Sequence, residues 1–161
     1  MSNQLKRVVE SSKWLPANIR AMVVSKILGK VVPYVGTSGL LYEEITPERV
    51  IVSIRNQRKV QNHIDNVHAA AMALLAETAT GFVVGINLPD DKLPLIKSLK
   101  VNYLKRTQGD MRAVATLDAA DIARLINEPK GEILVPVTVT DESGQEPIQC
   151  EMVWAWVAKK R

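Results

Sequence analysis

The sequence predicts an α+β fold in which an antiparallel sheet wraps around one long central helix. Three observations carry this. A polar cluster, Gln61 to Asn66, runs into a segment that stays apolar around its whole circumference for about three turns and closes on Gly81. A helix that is apolar all round is buried all round. Short segments of alternating polarity precede and follow it, and the later ones are joined mostly by turns, as in an antiparallel sheet. The expected central helix is Asn66 to Thr80, with Asp65 or Asn66 as N-cap and Gly81 as the residue that ends it.

The remaining elements follow in order. Leu15 to Val32 reads as a helix with Pro16 in its first turn and Pro33 as its stop. Ile19, Met22, Val23 and Ile27 share one face and are expected to pack on the domain. Lys13, Arg20, Lys26 and Lys30 make this segment basic and amphipathic. A membrane-surface contact and a lid over a ligand tunnel are its other readings. Gly36-Thr37-Ser38-Gly39 is expected to be a turn, and without a P-loop lysine it offers no phosphate cradle. Leu40 to Ile45 and Val50 to Asn56 form a hairpin about Thr46-Pro47-Glu48-Arg49. After the central helix, Phe82 to Asn87 reads as a short apolar strand. Leu95 to Lys105 and Met111 to Leu117 are further strands. Asp118 to Asn127 is a short amphipathic helix capped by Asp118 and ended before Pro129. Ile133 to Thr140 reads as one strand, with Pro136 marking an edge or a bulge. Ile148 to Val157 is the last strand, with Cys150, Trp154 and Trp156 on its apolar face. The domain division is an N-terminal helical extension, residues 1–39, and a core, residues 40–161.

At 161 residues the chain suits one domain with a sizeable core. Its net charge of +4 comes from scattered residues, with local clusters only at Lys97 to Arg106 and at Lys159-Lys160-Arg161. Nucleic acid is therefore not an expected partner. The single cysteine, Cys150, forms no intrachain disulfide, and no Cys/His cluster suggests a metal. The first residues lack the apolar stretch of a signal peptide, and no run of about 18 apolar residues marks a membrane span. A cytoplasmic location without cofactor or metal is the expectation.

Glu77 is the one ionisable side chain set into the apolar helix. Burying a carboxylate costs several kcal/mol unless it is paired or neutralised. It is a candidate general base for water, or a nucleophile, if burial raises its pKa. The other reading is a buried carboxylate held by Thr78 or Thr80. Asn62, His68 and the Ala69 N–H gather near the helix start, where unpaired N–H groups and about half a positive charge suit a developing oxyanion. Asn62 otherwise satisfies loop backbone, and His68 otherwise caps or packs.

The motif Asn62-x5-His68-Ala69-Ala70-x6-Glu77, with this order of elements, resembles the hotdog-fold acyl-CoA thioesterase superfamily. The likeness is above all to the phenylacetyl-CoA-type thioesterases and a related uncharacterised bacterial hotdog family. It runs from about Leu40 to the C-terminus. Those enzymes have an asparagine six residues before a His-Gly-Gly, and an acid nine residues after the histidine. Ala69 and Ala70 stand here in place of the two glycines. The resemblance implies a hotdog fold, hydrolysis of an acyl-CoA or acyl-carrier thioester, and catalytic roles for Glu77, His68, Asn62 and the Ala69 N–H. Lys97, Lys100, Lys105 and Arg106 are candidates to contact the phosphates of CoA; a solvated strand face is their other reading.

His68 and Glu77 lie nine residues apart, about 13 Å along a helix. They cannot touch one carbon within a single chain. A two-fold homodimer with antiparallel central helices brings Glu77 of one subunit to the helix start of the other, and the resembling enzymes use this arrangement. A dimer of dimers is compatible with it. The alternative function is a non-catalytic acyl-binding or dimerisation module.

Overall fold

The computed structural model describes residues 3–159. Three helices come first: α1 (Gln4–Ser11), α2 (Ala17–Val31) and α3 (Pro33–Ser38). Strands β1 (Leu41–Ile45) and β2 (Arg49–Ile54) lead into the central helix α4 (Ala69–Asn87). Then follow β3 (Lys92–Tyr103), β4 (Met111–Thr116), α5 (Ala119–Asn127), β5 (Gly131–Val135), β6 (Val137–Asp141) and β7 (Ile148–Ala158). Every strand pairing is antiparallel. The strands form two sheets, ordered β1-β2-β4-β6 and β3-β7-β5, and α4 packs against members of both. Leu75, Ala76, Ala79, Val83 and Val84 on α4 are sealed from solvent against Val50, Val52, Ala113, Ala115 and Met152. By length and composition α4 could cross a bilayer, yet 67% of its apolar window is buried inside this fold.

The central helix is longer and begins later than its sequence suggests. Its N-cap is His68; Asp65 and Asn66 stay in the preceding loop, where Asp65 has φ 59°. Gly81 does not end the helix, and Phe82–Asn87 is its last part instead of a strand. A short apolar run fits strand and buried helix equally well, so alternation alone could not separate them. Gly81 answers to packing: a Cβ there would lie 2.5 Å from the Trp154 ring. Trp154 Nε1 donates to Thr80 Oγ1 at 2.9 Å, and that hydroxyl donates to the Ala76 carbonyl, also at 2.9 Å. The glycine lets β7 lean its indole onto the helix.

The segment expected as one strand, Ile133 to Thr140, is two. Pro136 separates β5 from β6, and the chain crosses there from one sheet to the other. Lacking an N–H, proline cannot continue a ladder, but its carbonyl accepts from Thr116 N–H. Among the described residues strand β3 pairs only with β7, leaving its other edge open. Leu93, Leu95, Ile96, Leu99 and Tyr103 are exposed along it. At its start Lys92 is buried, and its ammonium donates to the carbonyls of Leu125, Ile126 and Glu128 at 2.7–2.9 Å. These are carbonyls at the end of α5, where a cation also suits the helix dipole.

The N-terminal helices depart from expectation in three ways. The helix α1 is additional; its N-cap Asn3 donates through Nδ2 to the carbonyls of Gly85 and Leu88, tying α1 to the end of α4. Gly36-Thr37-Ser38 belongs to α3, and only Gly39, with φ 74°, makes the left-handed stop. Helix α2 turns the opposite face inward: Val24 and Leu28 are buried, whereas Ile19, Met22, Val23 and Ile27 are exposed. Ser25 lies beside the buried stripe, and its Oγ accepts from Tyr42 N–H at 2.8 Å. A small, hydrogen-bonding face docks closer to a strand than a bulky one. Helices α2 and α3 meet backbone to backbone, since a Cβ on Gly36 would lie 2.5 Å from the Gly29 carbonyl oxygen. Of the Lys159-Lys160-Arg161 cluster, Lys160 and Arg161 lie outside the described residues, as do Met1 and Ser2.

Candidate active site

Glu77 sits in the third turn of α4, half-buried, and lines an apolar cavity of about 370 Å³. Leu28 and Val35 of α2 and α3 roof the cavity, Phe82 and Trp154 wall it, and Tyr42 of β1 enters beside the carboxylate. Burial pushes the Glu77 carboxyl above its ordinary value, and the adjacent Thr78 hydroxyl opposes this more weakly. No ion pair compensates Glu77 among the described residues. The Thr78 hydroxyl is itself buried and makes no hydrogen bond of normal geometry. A carboxylate whose pKa is raised by burial in an apolar pocket is better suited to taking a proton from water than a solvated one.

Tyr42 is a site residue that sequence reading missed. Its ring lies 4.8 Å from that of Phe82, tilted by 54°. Burial, and after it the negative charge of Glu77, raises its phenol pKa, so it stays protonated. Only its place in an alternating strand is visible in sequence, and that says which face it takes but not what it meets there.

At the other end of the helix, His68 caps α4: its Nδ1 accepts from Ala70 N–H at 3.0 Å. Its carbonyl accepts from Ala71 and Met72. The Ala69 N–H is left without a partner among the described residues, at the positive end of the dipole. Asn62 is used locally, with Oδ1 accepting from Ile64 and Asn66 N–H at 3.0 and 3.2 Å, while its amide nitrogen has no partner among the described residues. Asn62 is held in the loop before the helix, while His68 and Ala69 stand at the helix start. Glu77 is nine residues on, about 13 Å along the axis and half a turn around. One chain does not bring the two groups together.

The four basic candidates divide. Lys97 of β3 reaches over β7 to pair with Glu132 of β5, and Lys100 pairs with Glu151 of the neighbouring β7 at 2.7 Å. Lys105 donates to Gln145 Oε1 at 2.7 Å, and Arg106 is exposed. The last two follow Tyr103, whose hydroxyl donates to the Ala69 carbonyl at 2.9 Å. The end of β3 therefore lies against the start of α4. Cys150 is half-buried, its thiol pushed up to about 11 by burial, which leaves it unreactive. No group of three potential metal ligands occurs among the described residues.

An antiparallel sheet in two parts, closed on one long buried helix that carries a lone acid, is the hotdog fold found in thioesterase-family proteins. The domain of unknown function DUF4442 matches residues 20–157, and the chain belongs to that family. No curated protein matches the chain. Among solved structures, PA5026 of Pseudomonas aeruginosa, a protein of unknown function designated a probable thioesterase, is similar over 90% of this chain and 97% of its own, with 24% identity and a TM-score of 0.77. The thioesterase HI1161 of Haemophilus influenzae is 12% identical over 83% of this chain and 90% of its own, with a TM-score of 0.65. The thioesterase SAV0944 of Staphylococcus aureus is 15% identical over 78% of this chain and 98% of its own, with a TM-score of 0.66. At these identities the likeness establishes the fold.

Proposed function

We propose that the chain hydrolyses acyl-CoA or acyl-carrier thioesters at a site shared across a homodimer interface. The observation that carries the reading is Glu77, an uncompensated, half-buried carboxylate facing an apolar cavity. In the reaction it takes a proton from water as the water oxygen bonds to the thioester carbon. The carbonyl oxygen becomes negative and is held by the Ala69 N–H, with Asn62 and His68, of the other subunit. Collapse breaks the C–S bond, and the proton passes to the departing thiolate. Lys105 and Arg106 lie beyond the helix start and suit the phosphates of a carrier; Lys97 and Lys100 are occupied by Glu132 and Glu151. The homodimer reading draws support from β3: a long, exposed, apolar edge is a ready surface for pairing with a second copy.

The experiment is Glu77→Gln, assayed by free-thiol release from acyl-CoAs. It keeps size and hydrogen bonding while removing the base, so turnover is expected to fall by on the order of a hundredfold or more. The second reading, a non-catalytic acyl-binding or dimerisation module, is favoured by Ala69 and Ala70 where the resembling enzymes carry glycines. It expects no thiol release from the unaltered chain.

A further inference from the structure

The cavity at Glu77 has a direction. Glu77, Gly81 and Gly85 recur every four residues and so follow one stripe of α4. From the first to the last is about 12 Å along the helix. Trp154 leans onto Gly81, and Leu5 of α1 covers Gly85, its Cδ1 3.3 Å from where a Cβ would stand. A second cavity, of about 490 Å³, shares Leu5, Val31, Gly85, Leu93 and Pro94 with the first, so the two form one groove along the helix. Its roof comes from the N-terminal helices. Between Glu77 and Gly85 the side chains on this groove are apolar apart from Tyr42 at the mouth and the buried Thr78. A charged or polar acyl group would lie there unpaired, at a cost of several kcal/mol.

We propose that this groove binds the aliphatic chain of the substrate, with its carbonyl carbon at Glu77 and its methyl end toward Leu5. The substrate class is therefore medium-to-long aliphatic acyl thioesters, and the N-terminal helices set the length. This rests on the hydrolase reading of Glu77. The groove between Trp154 and Leu5 is lined by apolar side chains, which suits a run of methylenes.

The test is a series of straight-chain acyl-CoAs from acetyl to palmitoyl, with phenylacetyl-CoA beside it, read as kcat/KM by thiol release. Efficiency is expected to climb through octanoyl and to exceed that for acetyl-CoA by at least about tenfold, since each buried methylene contributes. Gly85→Leu fills the far end and should lower the lauroyl-to-butanoyl ratio at least about tenfold. Leu5→Trp, on a half-buried α1 position, should do the same if the helix substitution impairs folding. An optimum at acetyl or phenylacetyl, or variants that lower all chain lengths alike, overturns the groove. Should no thioester turn over, binding of the same series is measured by tryptophan quenching. Affinity that rises with chain length and falls in Gly85→Leu keeps the groove while ending the hydrolase reading. Affinity indifferent to length ends both.

Discussion

Glu77 carries a charge that its surroundings disfavour. Its folded-state pKa is raised from the ordinary 4.5 by burial, so the folded chain holds the proton more tightly than the unfolded one. That preference stabilises the fold fully below the ordinary carboxylate range and is lost as pH rises through the raised value. Glu77→Gln should therefore unfold at higher denaturant than the parent at neutral pH, and the gap should close on acidification below 4.5. A parent that is the more stable at neutral pH would mean that the carboxylate has a compensating partner. Gly81→Ala is a contrasting case. Alanine gains up to about 1 kcal/mol of helix propensity, but its methyl meets the Trp154 ring at 2.5 Å. Overpacking of this kind costs about 1–3 kcal/mol, so a lowered melting temperature is expected. Glu77 was legible in sequence because one acid in an apolar run is conspicuous. Gly81 was legible as important but for another reason, since a glycine that stops a helix and one that admits an indole look alike until β7 is in place. Thr78 was legible as a neighbour able to hold Glu77, but Tyr42 was not, because nothing local marks which hydroxyl faces a pocket.

At the level of elements, the alternating strands were legible and the faces of α2 were not. That helix has two apolar stripes of similar strength, and the wider one, Ile19, Met22, Val23 and Ile27, is exposed. The narrower stripe wins because alanine and serine let it approach β1, where Ser25 accepts the Tyr42 N–H. Leu28→Ala should then cost about 2–5 kcal/mol, the range for emptying a core site. Ile27→Ala should stay within about 0.5 kcal/mol, as surface substitutions do. Comparable losses at both positions would mean that the outer stripe is also covered in solution. The break at Pro136 was half legible: proline announced an irregularity, but only the second sheet explains why the chain needs one there.

The molecule as a whole is organised by a separation. The carboxylate and the unpaired N–H lie on one helix, about 12 Å apart along its axis, and β3 leaves an apolar edge open. We expect light scattering to report a dimer at micromolar concentration. Leu99→Asp on the exposed edge should shift it toward monomer and lower thiol release in parallel. Mixing Glu77→Gln chains with His68→Ala chains is the sharper measurement. Each mixed dimer unites one intact carboxylate with one intact helix start, so activity absent from either parent should return. Silence from a mixture in which heterodimers demonstrably form would exclude a site built across the two-fold axis. The spacing of His68 and Glu77 is readable in sequence; the open edge is not, because a strand's neighbours are a property of the sheet.

The glycine crossing of α2 and α3 has a kinetic consequence. With Gly29 and Gly36 in backbone contact, the two helices leave no seam for one to open without the other. Their amide protons should exchange with deuterium as one cooperative unit, distinct from α4 beneath. Gly36→Ala would wedge a methyl against the Gly29 carbonyl and split that unit. The amides of α3 should then exchange early while those of α2 keep their protection.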